Sequence, residues 1–234
     1  MSDAEEIAKA VQSVAQLGDK SLETSQKMGE FIGRVFKEPI AEISGMLTEK
    51  LRFTRWKRLV DISDEVNKIL NERGVHETRA VPPKLALSIF EESSLEEDQS
   101  LQYLWNHLLA NAMNPSFNGE LRYGFVDMIK NLTGIEVTIL NIFYEILKKE
   151  GHINDISTIT NYNLKKEQIM EIVEIDAESY QISVYNLMRM QCVGPAILKG
   201  SGIMMGAEPV TIYKGTDAIV LTPLGVKFIE ACIK

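Results

Sequence analysis

Cysteine is scarce in this chain, which has only Cys192 and Cys232. Neither belongs to a CxxC pair or lies near a histidine at metal-ligand spacing, so the pattern predicts neither a disulfide framework nor a zinc site. We expect two buried free thiols in a reducing cytosol. The three histidines, His76, His107 and His152, are scattered along the chain. We expect them to be solvated polar residues, and we predict no metal site.

The motifs of common catalytic sites are also missing. There is no GxSxG for a nucleophilic serine and no GxxxxGK[ST] for a nucleotide. Gly200, Gly202 and Gly206 approximate a glycine-rich loop, but they lie in a predicted β-hairpin and not between a strand and a helix. We therefore predict no catalytic residues, no cofactor and no enzymatic activity.

Positive charge is in deficit, with 25 Lys and Arg against 33 Asp and Glu and a net charge of −8. This excess of negative charge disfavours non-specific nucleic-acid binding. The longest stretch without a charged residue, 99–119, contains several Gln and Asn residues that would be desolvated in a bilayer, so it does not predict a membrane span. The first residues, MSDAEEIAKAV, are acidic where a signal peptide is basic. We expect a soluble, cytoplasmic protein.

Apolar periodicity predicts a mainly α fold, with a helical bundle-like N-terminal and central region. Residues 1–48 form the first predicted domain, of amphipathic helices. The first helix has a thin stripe of mostly small apolar residues: Ala4, Ile7, Ala8, Val11, Val14 and Ala15. The second apolar stretch includes Met28, Phe31, Ile32, Val35 and Phe36. We expect it to pack on the rest of the protein, with an interfacial helix on a membrane surface as the alternative.

Residues 49–133 form the second predicted domain. One helix covers 50–74 and ends at Gly74, and Pro82-Pro83 opens the next. In the following stretch, SSLEEDQSLQYLWNHLLANAMNP, Ser94 and Glu97 match a capping box, with acidic residues in the first turn. The apolar residues that follow share one helical face, which predicts a core stripe with His107 off it: Leu101, Leu104, Trp105, Leu108, Leu109 and Ala112.

Residues 134–234 form the third predicted domain, which is winged-helix-like. A helix follows the capping box of Thr133 and Glu136, and helices are predicted over 163–174 and 177–191. Two glycine-containing strands then predict a small β-hairpin, and Thr222-Pro223 opens a closing helix. This order of elements predicts the winged-helix-like module.

One basic segment stands out at the start of the 50–74 helix. Arg52, Arg55, Lys57 and Arg58 alternate with aromatic residues there, a pattern suited to phosphates and bases. These four are the candidate anion or partner surface, and the simpler interpretation is a solvated helix face. The charge becomes acidic one turn later.

The helix at 177–191 occupies the place of a DNA-recognition helix but carries a single cation, Arg189. Residues 135–234 have a net charge of −3. A helix that reads DNA normally brings several Lys or Arg to the groove. This one presents Tyr180, Tyr185, Met188 and Met190, which favour a protein partner.

Several segments in a fixed order resemble the Abi-alpha family of bacterial abortive-infection proteins. They are a basic-aromatic helix start, VPPKLAL, SLEED, WNHLLANA and FVDMIKNL, within about residues 38–144. The resemblance implies a helical protein associated with phage defence, and it brings no catalytic residues with it.

Our first hypothesis is a non-enzymatic phage-defence protein that acts through self-association or a protein partner, with the N-terminal stripe as a candidate contact face. The second is a nucleic-acid-binding regulator that uses the basic segment at 50–58 and the winged helix. The third is a membrane-surface effector that uses the N-terminal amphipathic helices.

Overall fold

The computed structural model describes residues 22–37, 53–150, 162–202 and 210–233, with side chains for 27–37, 58–150, 162–197 and 216–233. Contacts divide the chain into two compact units, unit 1 ending at Asn131 and unit 2 running from Leu132 to Ile233. The described part is mostly helical, with one three-stranded antiparallel sheet, which confirms the mainly α fold class.

In the described residues of unit 1, all the secondary structure is helical. Its helices are α1 (Leu22–Phe36), α2 (Phe53–Glu72), α3 (Pro83–Ser93), α4 (Gln99–Met113) and α5 (Gly124–Lys130). The double proline begins α3 as predicted, with Pro83 at its first position. On α5, three apolar residues are buried: Phe125, Met128 and Ile129.

Helix α1 buries the apolar face that the sequence predicts, from Met28 to Phe36. The ring of Phe90 on α3 lies 6.2 Å from that of Phe31 and 6.1 Å from that of Phe36, measured between centroids. The carbonyl of Val35 accepts a hydrogen bond from the amide of Val81. Within the described residues, the apolar face of this stretch therefore packs inside unit 1. The predicted stripe at residues 4–15 lies outside the described residues.

The core of unit 1 forms mainly between α2 and α4. All six residues of the predicted stripe on α4 are buried, and Trp105 is among the largest side chains fully enclosed. Helix α2 ends where expected, because Gly74 has φ +67° and lets the amide of Val75 reach the carbonyl of Leu70 at 2.8 Å.

The predicted capping box of α4 is wrong. The N-cap is Asp98, whose carboxylate accepts from the amides of Ser100 and Leu101 at 2.7 and 3.3 Å. Ser94 instead ends α3, where its hydroxyl donates to the carbonyl of Glu91. Glu97 therefore precedes the helix and is not part of its first turn. Asp98 serves as the N-cap because its short carboxylate reaches two amides of the first turn that have no partner within the helix.

Unit 2 contains helices and one sheet. Its elements are α6 (Gly134–Lys149), β1 (Asn163–Lys165), α7 (Lys166–Val173), α8 (Ala177–Arg189), β2 (Val193–Gly202), β3 (Val210–Leu221) and α9 (Pro223–Cys232). The capping box of α6 and the N-cap of α9 at Thr222 are confirmed. The predicted helix at 163–174 is wrong in its first three residues, because Leu164 pairs with Ile219 and makes them a strand.

The two predicted hairpin strands are confirmed and lie in a sheet of order β1-β3-β2, all antiparallel. The register shifts between Pro195 and Ile197 on β2. Proline lacks an amide donor, so a sheet edge or a bulge is where a strand tolerates it.

Candidate functional site

The predicted basic surface is only partly described. Arg52 lies outside the described residues, and Arg55 and Lys57 lie on α2 without described side chains. Arg58 donates from Nη1 to the carbonyl of Glu96, and its Nη2 lies 3.7 Å from a carboxylate oxygen of Glu97. Arg58 thus ties α2 to the loop before α4, so part of its charge is already neutralised within unit 1.

A polar cluster missed by the sequence reasoning surrounds His107 on α4. Arg73 contacts His107 Nδ1 at 3.0 Å and donates to Asn111 Oδ1 at 2.6 Å, and the ring of Tyr103 lies 4.0 Å from that of His107. His107 is only 9% exposed, so its predicted solvation is wrong, whereas His76 is exposed as predicted. His152 is outside the described residues.

Arg79 donates to the carbonyl of Ala112. Because cations favour helix C-termini, this cluster stabilises the end of α4.

The two cysteines are buried and free, as predicted. Burial raises the pKa of the Cys192 thiol to about 12. Burial also raises the pKa of Cys232, and the nearby Cys192 adds to that shift. A thiol attacks as its thiolate, so both groups are poor nucleophiles at neutral pH.

Helix α8 exposes apolar side chains to solvent. Ile182 is 63% exposed and Tyr185 is 62% exposed, while Tyr180, predicted for the same surface, is buried. Met188 is half-buried. The 3.6-residue period distinguishes these positions, because Ile182 and Tyr185 lie opposite the buried Val184 and Leu187. Ile182 was not singled out in the sequence because an isoleucine there looks like part of the core.

Beside α8 lies a cleft of about 330 Å³, between this helix and the strands β2 and β3. Val184, Met188 and Pro195 line it with apolar surface, and Tyr180 and Tyr185 contribute aromatic rings. Asp217, from β3, lies exposed at the same cleft. The size suits one or two side chains more than a large cofactor.

The segment that carries the helices beside this cleft has more negative than positive charge. Burial raises the pKa of the Tyr180 hydroxyl, and the negative charges of Asp217 and Glu167 raise it further. Lys166 offsets part of this field, with its Nζ 5.7 Å from the centre of the Tyr180 ring. Residues 163–189 together carry a net charge of −2. A phosphate backbone would be repelled here, and a cation would be attracted.

The profile of a family described as Abortive infection alpha (Abi_alpha) matches residues 55–232, most of the chain. The chain belongs to the Abi_alpha family. The match confirms the resemblance seen in the sequence, and it extends beyond the 38–144 region to cover all of the described secondary structure of unit 2. Both the α4 core stripe and the cleft beside α8 are therefore parts of the Abi_alpha region. Membership associates the chain with abortive infection, a form of phage defence.

No curated protein and no solved structure matches the chain significantly. Among the described residues, no helix combines the length and apolar character required to cross a membrane. The same part of the chain contains no group of three or more His, Cys, Asp or Glu side chains placed to hold a metal ion.

Proposed function

We propose that this Abi_alpha protein is a non-enzymatic, cytoplasmic component of phage defence that acts through protein contacts, including contacts between its own copies. Unit 2 is, in this proposal, a winged-helix-like module whose α8 face binds protein. The observation that carries the proposal is the exposure of Ile182 and Tyr185 on that helix.

The topology supports the winged-helix interpretation of unit 2. The elements follow the order α6, β1, α7, α8, β2, β3, α9, and β3 lies between β1 and β2 in the sheet. In such a module α8 takes the position of the recognition helix, followed by a hairpin as the wing. Fold alone does not assign a ligand, so the class of ligand has to be inferred from the side chains on the surface of α8.

The surface of α8 favours protein over nucleic acid. Its cation, Arg189, donates at 2.8 Å to Asn186 Oδ1 one turn earlier on the same helix. Exposed Tyr and Ile side chains are suited to a protein interface, where aromatic residues are enriched and charged residues are depleted at the centre. The acidic residues around α7 and α8 add repulsion toward phosphates.

A plaque assay on bacteria that express the chain tests the proposal. The double variant Ile182→Ser/Tyr185→Ser should lose protection against phage while keeping wild-type thermal stability, because both side chains are already exposed. Leu95→Ser, at an exposed position of unit 1 (55% exposed), is the control and should protect fully. Full protection by the double variant would contradict a role for α8.

Light scattering measures self-association. We expect a mass above the 26.4 kDa of one chain at micromolar concentration, and a pull-down from infected cells that returns a partner lost in the double variant. A monomer that captures nothing would remove the support for protein contacts. Retardation of nucleic acid in a gel at about 50 mM salt, where phosphate contacts are strong, would favour the second hypothesis instead.

A further inference from the structure

We propose that the cleft between α8, β2 and β3 binds an arginine side chain presented by a basic segment of a partner protein. This inference rests on the proposed function, because it specifies the chemistry of the partner that unit 2 contacts. It commits to a basic protein segment, and nucleic acid is treated as an outcome of the test.

The walls of the cleft suit the long apolar stem of an arginine. Val184 and Met188 come from one face of α8, one turn apart, and Pro195 faces them from the start of β2. The stems of long cationic side chains bury well against such apolar surface while the charged end stays near water. Methionine is an adaptable wall, because its unbranched chain can follow the shape of a guest.

The aromatic rings of the cleft suit the flat charged end. A guanidinium group stacks on tyrosine rings, and Tyr180 and Tyr185 both line the cleft. The Nζ atom of Lys166 already lies 5.7 Å from the centre of the Tyr180 ring. Lys166 therefore already covers the Tyr180 ring from within the chain, and the exposed ring of Tyr185 is the surface left for the guanidinium group of a guest arginine.

Asp217 supplies the counter-charge. This carboxylate lies exposed at the cleft and, in the described part of the chain, forms no ion pair. A carboxylate can accept two parallel hydrogen bonds from a guanidinium group, which a lysine ammonium cannot provide. Because residues 163–189 also carry a net charge of −2, the wider field attracts a basic segment to this side of unit 2.

Methyl NMR on the full-length protein with labelled methionines tests the inference. The probe is the peptide acetyl-Ala-Leu-Arg-Leu-Ala-amide, and Met188→Leu assigns the Met188 methyl signal. We expect that signal to shift saturably, with a dissociation constant of about 1 mM or below, as one anchored side chain allows. The same peptide with citrulline in place of arginine has nearly the same shape without the charge and should bind at least roughly fivefold more weakly.

Two variants that each remove one negative charge distinguish binding in the cleft from attraction by the wider electrostatic field. Asp217→Asn should weaken binding of the arginine peptide roughly fivefold or more. Glu171→Gln, at an exposed position of α7 outside the cleft, should change the dissociation constant of the arginine peptide by no more than about twofold, since exposed charges at a distance are screened. Equal effects of the two variants would overturn the inference, and so would equal binding of the citrulline peptide.

The remaining outcomes are also decisive. An unmoved Met188 signal at about 5 mM peptide, well above the expected dissociation constant, would overturn the inference. A Met188 shift caused by an oligonucleotide and not by the peptide would assign the cleft to nucleic acid. If the peptide fails while Ile182→Ser/Tyr185→Ser abolishes protection, the arginine site is wrong and the proposed function stands. If the peptide binds while that double variant protects fully, the proposed function is wrong.

Discussion

Asn186 on α8 donates a hydrogen bond from its side-chain amide to the buried carboxylate of Glu136 on α6, with a nitrogen-to-oxygen distance of 3.1 Å. Glu136 is 2% exposed and also accepts from the amide of Thr133 at 2.7 Å, which completes the capping box of α6. One carboxylate therefore both caps α6 and joins it to α8.

Replacing Glu136 by alanine should lower the free energy of unfolding by about 1–3 kcal/mol. The change removes a cap and leaves the amide of Asn186 without its acceptor on α6, and a lost hydrogen bond to a charged group costs about that much. Urea denaturation measures the loss. Glu136→Gln keeps an acceptor oxygen and should lose less, and equal losses in the two variants would contradict the role of the hydrogen bonds.

Asp98→Ala should cost about 1 kcal/mol, because it removes the side chain that caps α4. Glu97→Ala is the matched control, since Glu97 is the residue that the sequence pattern would have placed in a capping box. Its exposed carboxylate makes one long contact with Arg58, so we expect a change within about 0.5 kcal/mol. Thermal denaturation of both variants gives the comparison. A larger loss of stability for Glu97→Ala than for Asp98→Ala would support the capping box of Ser94 and Glu97 instead.

Local signals in the sequence predicted the elements whose causes are local. Gly74 ends α2 through its own backbone angle, and Pro83 opens α3 through its fixed φ. The capping boxes show the limit of that reasoning, because Thr133 with Glu136 forms one and Ser94 with Glu97 does not. Both match the same pattern, and only the path of the chain decides which serves as a cap.

Features that depend on contacts between residues far apart in the sequence could not be predicted in this way. The three residues of β1 form a strand because they pair with β3, more than fifty positions later. His107 is buried because Arg73, on the segment after α2, lies against it. The cleft beside α8 joins Met188 with Asp217 from β3, and no sequence spacing connects them. Candidate sites of this kind need the fold first.

Trp105→Ala should lower the free energy of unfolding by about 3–5 kcal/mol, because this side chain is 1% exposed in the core of unit 1. Its indole N–H meets no hydrogen-bond acceptor in the described part of the chain. Trp105→Phe removes that unsatisfied group and keeps most of the apolar contact, so its loss should be clearly smaller. Denaturant unfolding of the two variants gives the comparison, and near-wild-type stability of the alanine variant would contradict the burial.

The stability of unit 2 should fall as the pH rises above about 9. The Cys192 thiol has an ordinary pKa of 9.0 when unfolded, and burial raises it to about 12 in the folded protein. Below pH 9 the thiol is protonated in both states and contributes no pH dependence. Between about 9 and 12 only the unfolded state releases the proton, which favours unfolding by up to about 1.4 kcal/mol per pH unit.

Urea denaturation between pH 8 and pH 10.5 measures this slope, and Cys192→Ala is the comparison. The other ionisable groups are common to both proteins, so the difference between the two slopes reports on the Cys192 thiol together with its effect on the pKa of Cys232. The variant should be less stable at pH 8, because it leaves a small cavity, and should lose less stability with rising pH. Parallel pH profiles would show that the Cys192 thiol is not held protonated by its burial.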